Sequence, residues 1–95
     1  MKHDAPPAIG QAVRSAAGRD MGRLLIVMAL ADDNHALVAD GDLRKAASPK
    51  KKKFRHLKYT PHIAEGVRQK LLDRVVVFDK ELRAAIRSIE PCEEG

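Results

Sequence analysis

Residues 15–30 read SAAGRDMGRLLIVMAL. Gly18 and Gly22 stand four apart, Arg19 and Asp20 lie between them, and the most apolar run of the chain follows at once. So many small residues cannot form a packed helix face. They describe a tight loop whose backbone takes conformations that glycine adopts at low cost. Behind it, Leu24, Ile26, Met28 and Leu30 alternate with Leu25, Val27 and Ala29, so both faces of the run are apolar. Such a strand belongs at the centre of a small barrel or sandwich. A short buried helix is the competing reading; the β-branched pair Ile26-Val27 and the glycine loop favour a strand.

Working outward, Ile9–Ser15 is a short strand candidate with Val13 inward, and Pro6 and Pro7 exclude helix from the flexible leader expected over residues 1–8. ADDNH (31–35) is a turn, and ALVA (36–39) a third strand. Asp40-Gly41 carries the two-residue hairpin signal, so LRKA (43–46) is expected to return as a fourth strand. SPKKKK then forms a basic connection, and FRHLKYT (54–60) a fifth strand with Leu57 and Tyr59 inward. Thr60 and Pro61 read as N-cap and first residue of a helix carrying the stripe Ile63, Val67, Leu71, with Gly66 weakening it. A second helix starts at Asp79, buries Leu82, Ala85, Ile86 and Ile89, and ends at Pro91. VVVF (75–78) reads either as a core-filling linker or as an edge strand. The expectation is one α+β domain: a five-stranded barrel over residues 9–60, a helical extension over 61–90 and a tail over 91–95.

The 95 residues are a third charged, with 18 Lys and Arg against 13 Asp and Glu, a net +5. Arg44, Lys45, Lys50, Lys51, Lys52, Lys53, Arg55 and Lys58 follow one another with no acid among them. A cationic block of this kind points to a polyanion. With Phe54, Tyr59 and Phe78 as the only aromatic residues, base stacking has little to work with, and recognition by shape and phosphate position is favoured. His56 is placed to stack on a base or bond a phosphate, and equally to be a half-buried strand histidine.

Other chemistries find little support. His3, His35, His56 and His62 lack cysteine partners and zinc-site spacing, and Asp32, Asp33, Asp40 and Asp42 sit in turn signals without a calcium-loop pattern. No nucleophile elbow, phosphate loop or carboxylate pair is present, so neither catalysis nor a cofactor is expected. Cys92 is the single cysteine and forms no internal disulfide. The apolar run Leu24–Ala31 is far shorter than the roughly 20 residues of a membrane helix, and a cytoplasmic protein is the plain expectation.

With strand, glycine loop and strand in place, IGQAVRSAAGRDMGRLLIVM (9–28) resembles a KOW motif, Gly18 standing at the motif glycine. DGDLRK and the lysine run before HLKYT extend the resemblance to bacterial KOW-domain RNA-binding proteins. These are similar to KOW-bearing large-subunit ribosomal proteins of archaea and eukaryotes. The resemblance covers Ile9 to about Thr60 and does not extend to VVVF or PCEEG. It implies an SH3-like barrel that binds structured RNA, ribosomal RNA foremost, in association with the ribosome. On this reading Arg19 and Arg23 face a phosphate from the glycine loop, Asp20 braces one of them or caps the loop, and the 44–58 block supplies the capture. The rival expectation is a protein-interaction module docking a transcription or translation factor, with the second helix as partner surface; that helix also exposes Lys80, Arg83 and Arg87.

Overall fold

The computed structural model describes residues 5–94, so His3 and the first half of the expected leader lie outside the described residues. Five antiparallel strands, β1 (Gln11–Ser15), β2 (Leu24–Leu30), β3 (His35–Ala39), β4 (Lys50–Lys53) and β5 (Leu57–Ile63), form one sheet in the order β4-β3-β2-β1-β5. Helices α1 (Glu65–Leu72) and α2 (Asp79–Glu94) follow. The double-faced run is the central strand, as its pattern requires. Leu24 and Ile26 join Ala12, Ala39, Val67, Leu82 and Ile89 in a core between sheet and helices. Leu25 and Val27 join Val13, Ala36, Val38, Phe54 and Leu57 in a second core on the other face. Complete burial of Leu25 and Ile26 stabilises by about 1.5–3 kcal/mol each.

Several expected elements fall elsewhere. LRKA is not a strand: residues 40–49 form a loop, and the lysine run itself is β4. The Asp40 carboxylate decides this, because its Oδ1 accepts the backbone N–H groups of Asp42 (2.9 Å) and Arg44 (2.8 Å) and folds the chain into a local turn. The lysines can then pair with β3, Lys52 opposite Ala36 and Lys50 opposite Val38, as an edge strand whose charge discourages further pairing. Phe54–His56 is a 3₁₀ turn, and the fifth strand runs on to Ile63.

Thr60 therefore caps no helix; its Oγ1 donates to the carbonyl of Ala12 (2.7 Å), and Pro61 is tolerated because β5 is the other edge. Ile63 pairs with Gln11, α1 begins only at Glu65, and Val67 and Leu71 alone of the expected stripe pack from a helix. Tyr59 is exposed rather than inward, its hydroxyl donating to the carbonyl of Ala5 (2.6 Å) and tying residues 5–8 to β5. VVVF is a linker with Val77 buried and its neighbours exposed. Pro91 does not end α2. Its missing N–H forfeits one bond near the helix end, and the stretch expected as a tail is helical up to Glu94.

Candidate nucleic-acid interface

The loop between β1 and β2 is closed by two backbone bonds, Ser15 N–H to Arg23 (2.9 Å) and Gly22 N–H to Ser15 (2.8 Å). Gly18 and Gly22 both take positive φ, +88° and +89°, which lets the chain turn back on itself between the antiparallel strands β1 and β2. Asp20 braces neither arginine. Its Oδ1 lies 2.8 Å from the Lys52 ammonium and accepts from the Ser15 hydroxyl at 2.8 Å, all three side chains being buried. Lys52 donates in addition to Ser15 Oγ (2.9 Å) and to the carbonyl of Ala17 (2.6 Å), so it is a strut from β4 to the loop and not a surface cation. Burial pushes the Asp20 carboxyl up, but the bonds from Lys52 and Ser15 outweigh it and hold it below the ordinary value. Its Oδ2 has no partner among the described residues.

The neighbouring lysines behave differently. Lys51 and Lys53 alternate to the opposite face from Lys52 and are exposed. Lys51 stands 3.7 Å from Asp32, and Lys53 has no partner among the described residues. Asp32 is held at about 2, first by the backbone N–H of Asn34 and then by His35, whose Nδ1 lies 2.8 Å away. The N–H of Ala16 donates to the carbonyl of His56 (2.8 Å), which brings the 3₁₀ turn against the glycine loop. The result is an open depression of about 510 Å³ lined by Ala17, Gly18, His35, the four lysines and His56. Arg55 lines an adjoining one of about 350 Å³ with His35 and Lys53. Arg19 projects exposed from the loop, and Lys58 is exposed on β5 opposite Arg14.

Three residues of the sequence-derived set lie elsewhere. Arg23 turns to Asp40 (Nε to Oδ2, 2.9 Å) and Asp42 (3.1 Å). Burial raises the Asp40 carboxyl, but the N–H groups of Arg44 and Asp42 together with Arg23 bring it below its ordinary value. Arg44 and Lys45 belong to the same loop, away from the lysine depression. Asp40 and Gly41 are a structural joint: Arg83 of α2 donates to the carbonyl of Gly41 (2.7 Å). A Cβ at Gly41, where φ is +79°, would overlap the carbonyl oxygen of Asp79.

Sequence reasoning left Arg14 out. It donates to the carbonyl of Gly22 (2.6 Å) and pairs with Glu90 of α2 (2.9 Å). With Arg23, Arg83 and Arg87 it lines a groove of about 760 Å³ between sheet and helix. The spacing Arg83-Arg87 marks one helix face, but nothing local to Arg14 signals a partner 76 residues away. Among the described residues, no group of three His, Cys, Asp or Glu side chains is placed to hold a metal ion, and no helix is long and apolar enough to cross a membrane. The chain matches no known family model and no curated protein.

Proposed function

We propose that this protein is a non-enzymatic binder of structured RNA, with ribosomal RNA in the cytoplasm as the expected target. The observation that carries the reading is the lysine depression, where exposed Lys51 and Lys53, half-buried Lys50, His35, His56 and the Gly18 backbone converge. Arg19, Arg55 and Lys58 add exposed cations from the flanking loop, turn and strand. Lys51 has Asp32 at 3.7 Å, but the other ammonium and guanidinium groups have no acidic partner among the described residues and keep their donors available for phosphate oxygens. None of Phe54, Tyr59 and Phe78 lines this depression, so recognition by phosphate position and shape is favoured over stacking there.

The SH3-like barrel implied by the KOW resemblance belongs to the same proposal. It is supported by the direct succession of the two edge strands, joined by one 3₁₀ turn, and by a second core enclosed on the face away from the helices. If Lys50, Lys51, Lys53, Arg55 and Lys58 each neutralise a phosphate, log K falls against log salt with a slope of about −3.5 to −4.5.

The test is co-sedimentation with ribosomes at low and raised salt, beside a variant with Lys50, Lys51 and Lys53 changed to Gln and Lys52 kept. The wild type pellets at low salt, is released as salt rises, and the variant stays in the supernatant. A wild type that stays in the supernatant at low salt overturns ribosome association. A second reading, docking on a protein partner, is favoured by the exposed Leu72, Val75, Val76 and Phe78 around the α1–α2 linker. A protein-docking function tolerates neutralised lysines and an RNA-binding one does not.

A further inference from the structure

The glycine loop separates two cationic hollows. Gly18 lines the lysine depression on one flank, and Gly22, four residues on, lines the arginine groove on the other. At the loop's tip Arg19 is exposed, and Met21, a large apolar side chain, is 66% exposed. Within the arginine groove the charges are unequally available. Arg14 is paired with Glu90, and Arg23 with Asp40 and Asp42. Arg83 gives one N–H to the Gly41 carbonyl and forms no ion pair among the described residues, although Asp40, Asp42 and Glu90 also line the groove, and Arg87, one helical turn on, has no hydrogen-bond or ion-pair partner among them. The groove therefore offers two arginines of α2 on the side of the loop opposite the lysine strand.

We infer that the protein grips double-helical RNA astride this loop. The loop tip enters the wide, shallow minor groove, the lysine strand holds the phosphates of one bordering strand, and Arg83 with Arg87 holds those of the other. A single strand supplies one row of phosphates and leaves one wall empty. A double helix supplies two rows with an open groove between, and in the A form that groove is shallow enough to admit a short loop. The inference rests on the RNA-binding reading and adds the second wall and the ligand's double-stranded form.

The probes are a 16-base-pair RNA duplex, one of its strands alone, and a DNA duplex of the same sequence, each titrated by fluorescence anisotropy over a range of salt. Arg87→Gln is the informative variant, because Arg87 is exposed and makes no hydrogen bond or ion pair among the described residues, so its loss leaves the fold intact; Lys51→Gln/Lys53→Gln tests the other wall. The wild type prefers the RNA duplex to both other probes. Arg87→Gln weakens duplex binding, lowers the salt slope by about one, and leaves single-strand binding unchanged. Lys51→Gln/Lys53→Gln weakens binding to all three. If Arg87→Gln binds the duplex with the wild-type slope, or the wild type binds single strand or DNA as tightly, the two-walled grip is wrong and the lysine site stands. If no RNA probe binds at low salt, the RNA-binding reading falls as well.

Discussion

Lys52→Met isolates the strut that joins the lysine strand to the glycine loop. Lys52 is 7% exposed and Asp20 5%, and Oδ2 of Asp20 has no partner among the described residues, so removing the ammonium leaves a buried carboxylate with Ser15 as its only side-chain donor among them. Breaking a buried pair from one side costs about 3–5 kcal/mol, a large share of the 5–15 kcal/mol by which a domain is stable. Urea denaturation at pH 7 reads that loss directly.

The pH dependence gives a second, independent handle. In the wild type the Asp20 carboxyl lies below 3.8, so its contribution is complete above that value and is lost as pH falls through the lower, folded one. In Lys52→Met, burial without a cation raises the carboxyl instead, and protonation relieves the variant. The stability gap to wild type therefore narrows on going from pH 7 to pH 3.5. Because Lys52 faces inward, the salt slope of RNA binding by the folded variant stays at the wild-type value. A loss below about 1 kcal/mol, with a gap that does not change with pH, refutes the buried-pair reasoning.

Gly41→Ala loses more than about 2 kcal/mol in denaturant, from positive φ and overlap with the Asp79 carbonyl, whereas Gly22→Ala, where an added Cβ meets open space, loses only about 1–2 kcal/mol from its positive φ. Arg23→Gln leaves Asp40 without its cation and lowers stability by about 1–3 kcal/mol, with the salt slope of RNA binding unchanged. An NMR titration finds the Asp32 carboxyl near 2; His35→Gln moves it upward but not to 3.8, since the Asn34 N–H, the larger cause, remains.

The legible parts of the fold are those where one residue type has one environment. The double apolar alternation of Leu24–Leu30 requires a strand covered on both sides, and Leu82, Ala85, Ile86 and Ile89 define a helix face whatever the rest of the chain does. The misread parts turn on residues with two available roles. Thr60-Pro61 suits a helix start and equally an edge strand, and the carbonyl of Ala12, 48 residues away, decides between them. Asp40-Gly41 suits a hairpin, but the Asp40 carboxylate prefers its own backbone and Arg23. Lysine is the extreme case. Its backbone pairs with strand β3 while its ammonium reaches either solvent or Asp20, and the letters KKKK do not reveal which of the four turns inward.

That ambiguity changes how the basic surface is counted. Lys52 is locked to Asp20, Arg23 to Asp40 and Asp42, Arg14 to Glu90, and Lys70 to Glu81, so at least four of the cations in the +5 balance hold the fold together. Their acidic partners are paired off with them, and Lys50, Lys53, Arg55, Arg83 and Arg87 remain without an acidic partner among the described residues on either side of one loop. Arg14 shows the consequence. It stands opposite Lys58 across β1 and β5, a like-charge pair that Glu90 of α2 offsets. Glu90→Gln therefore destabilises the docking of α2 while making the arginine groove more positive. Tighter RNA binding in a less stable protein separates an electrostatic grip from a purely structural groove, because a structural groove loses stability and gains nothing.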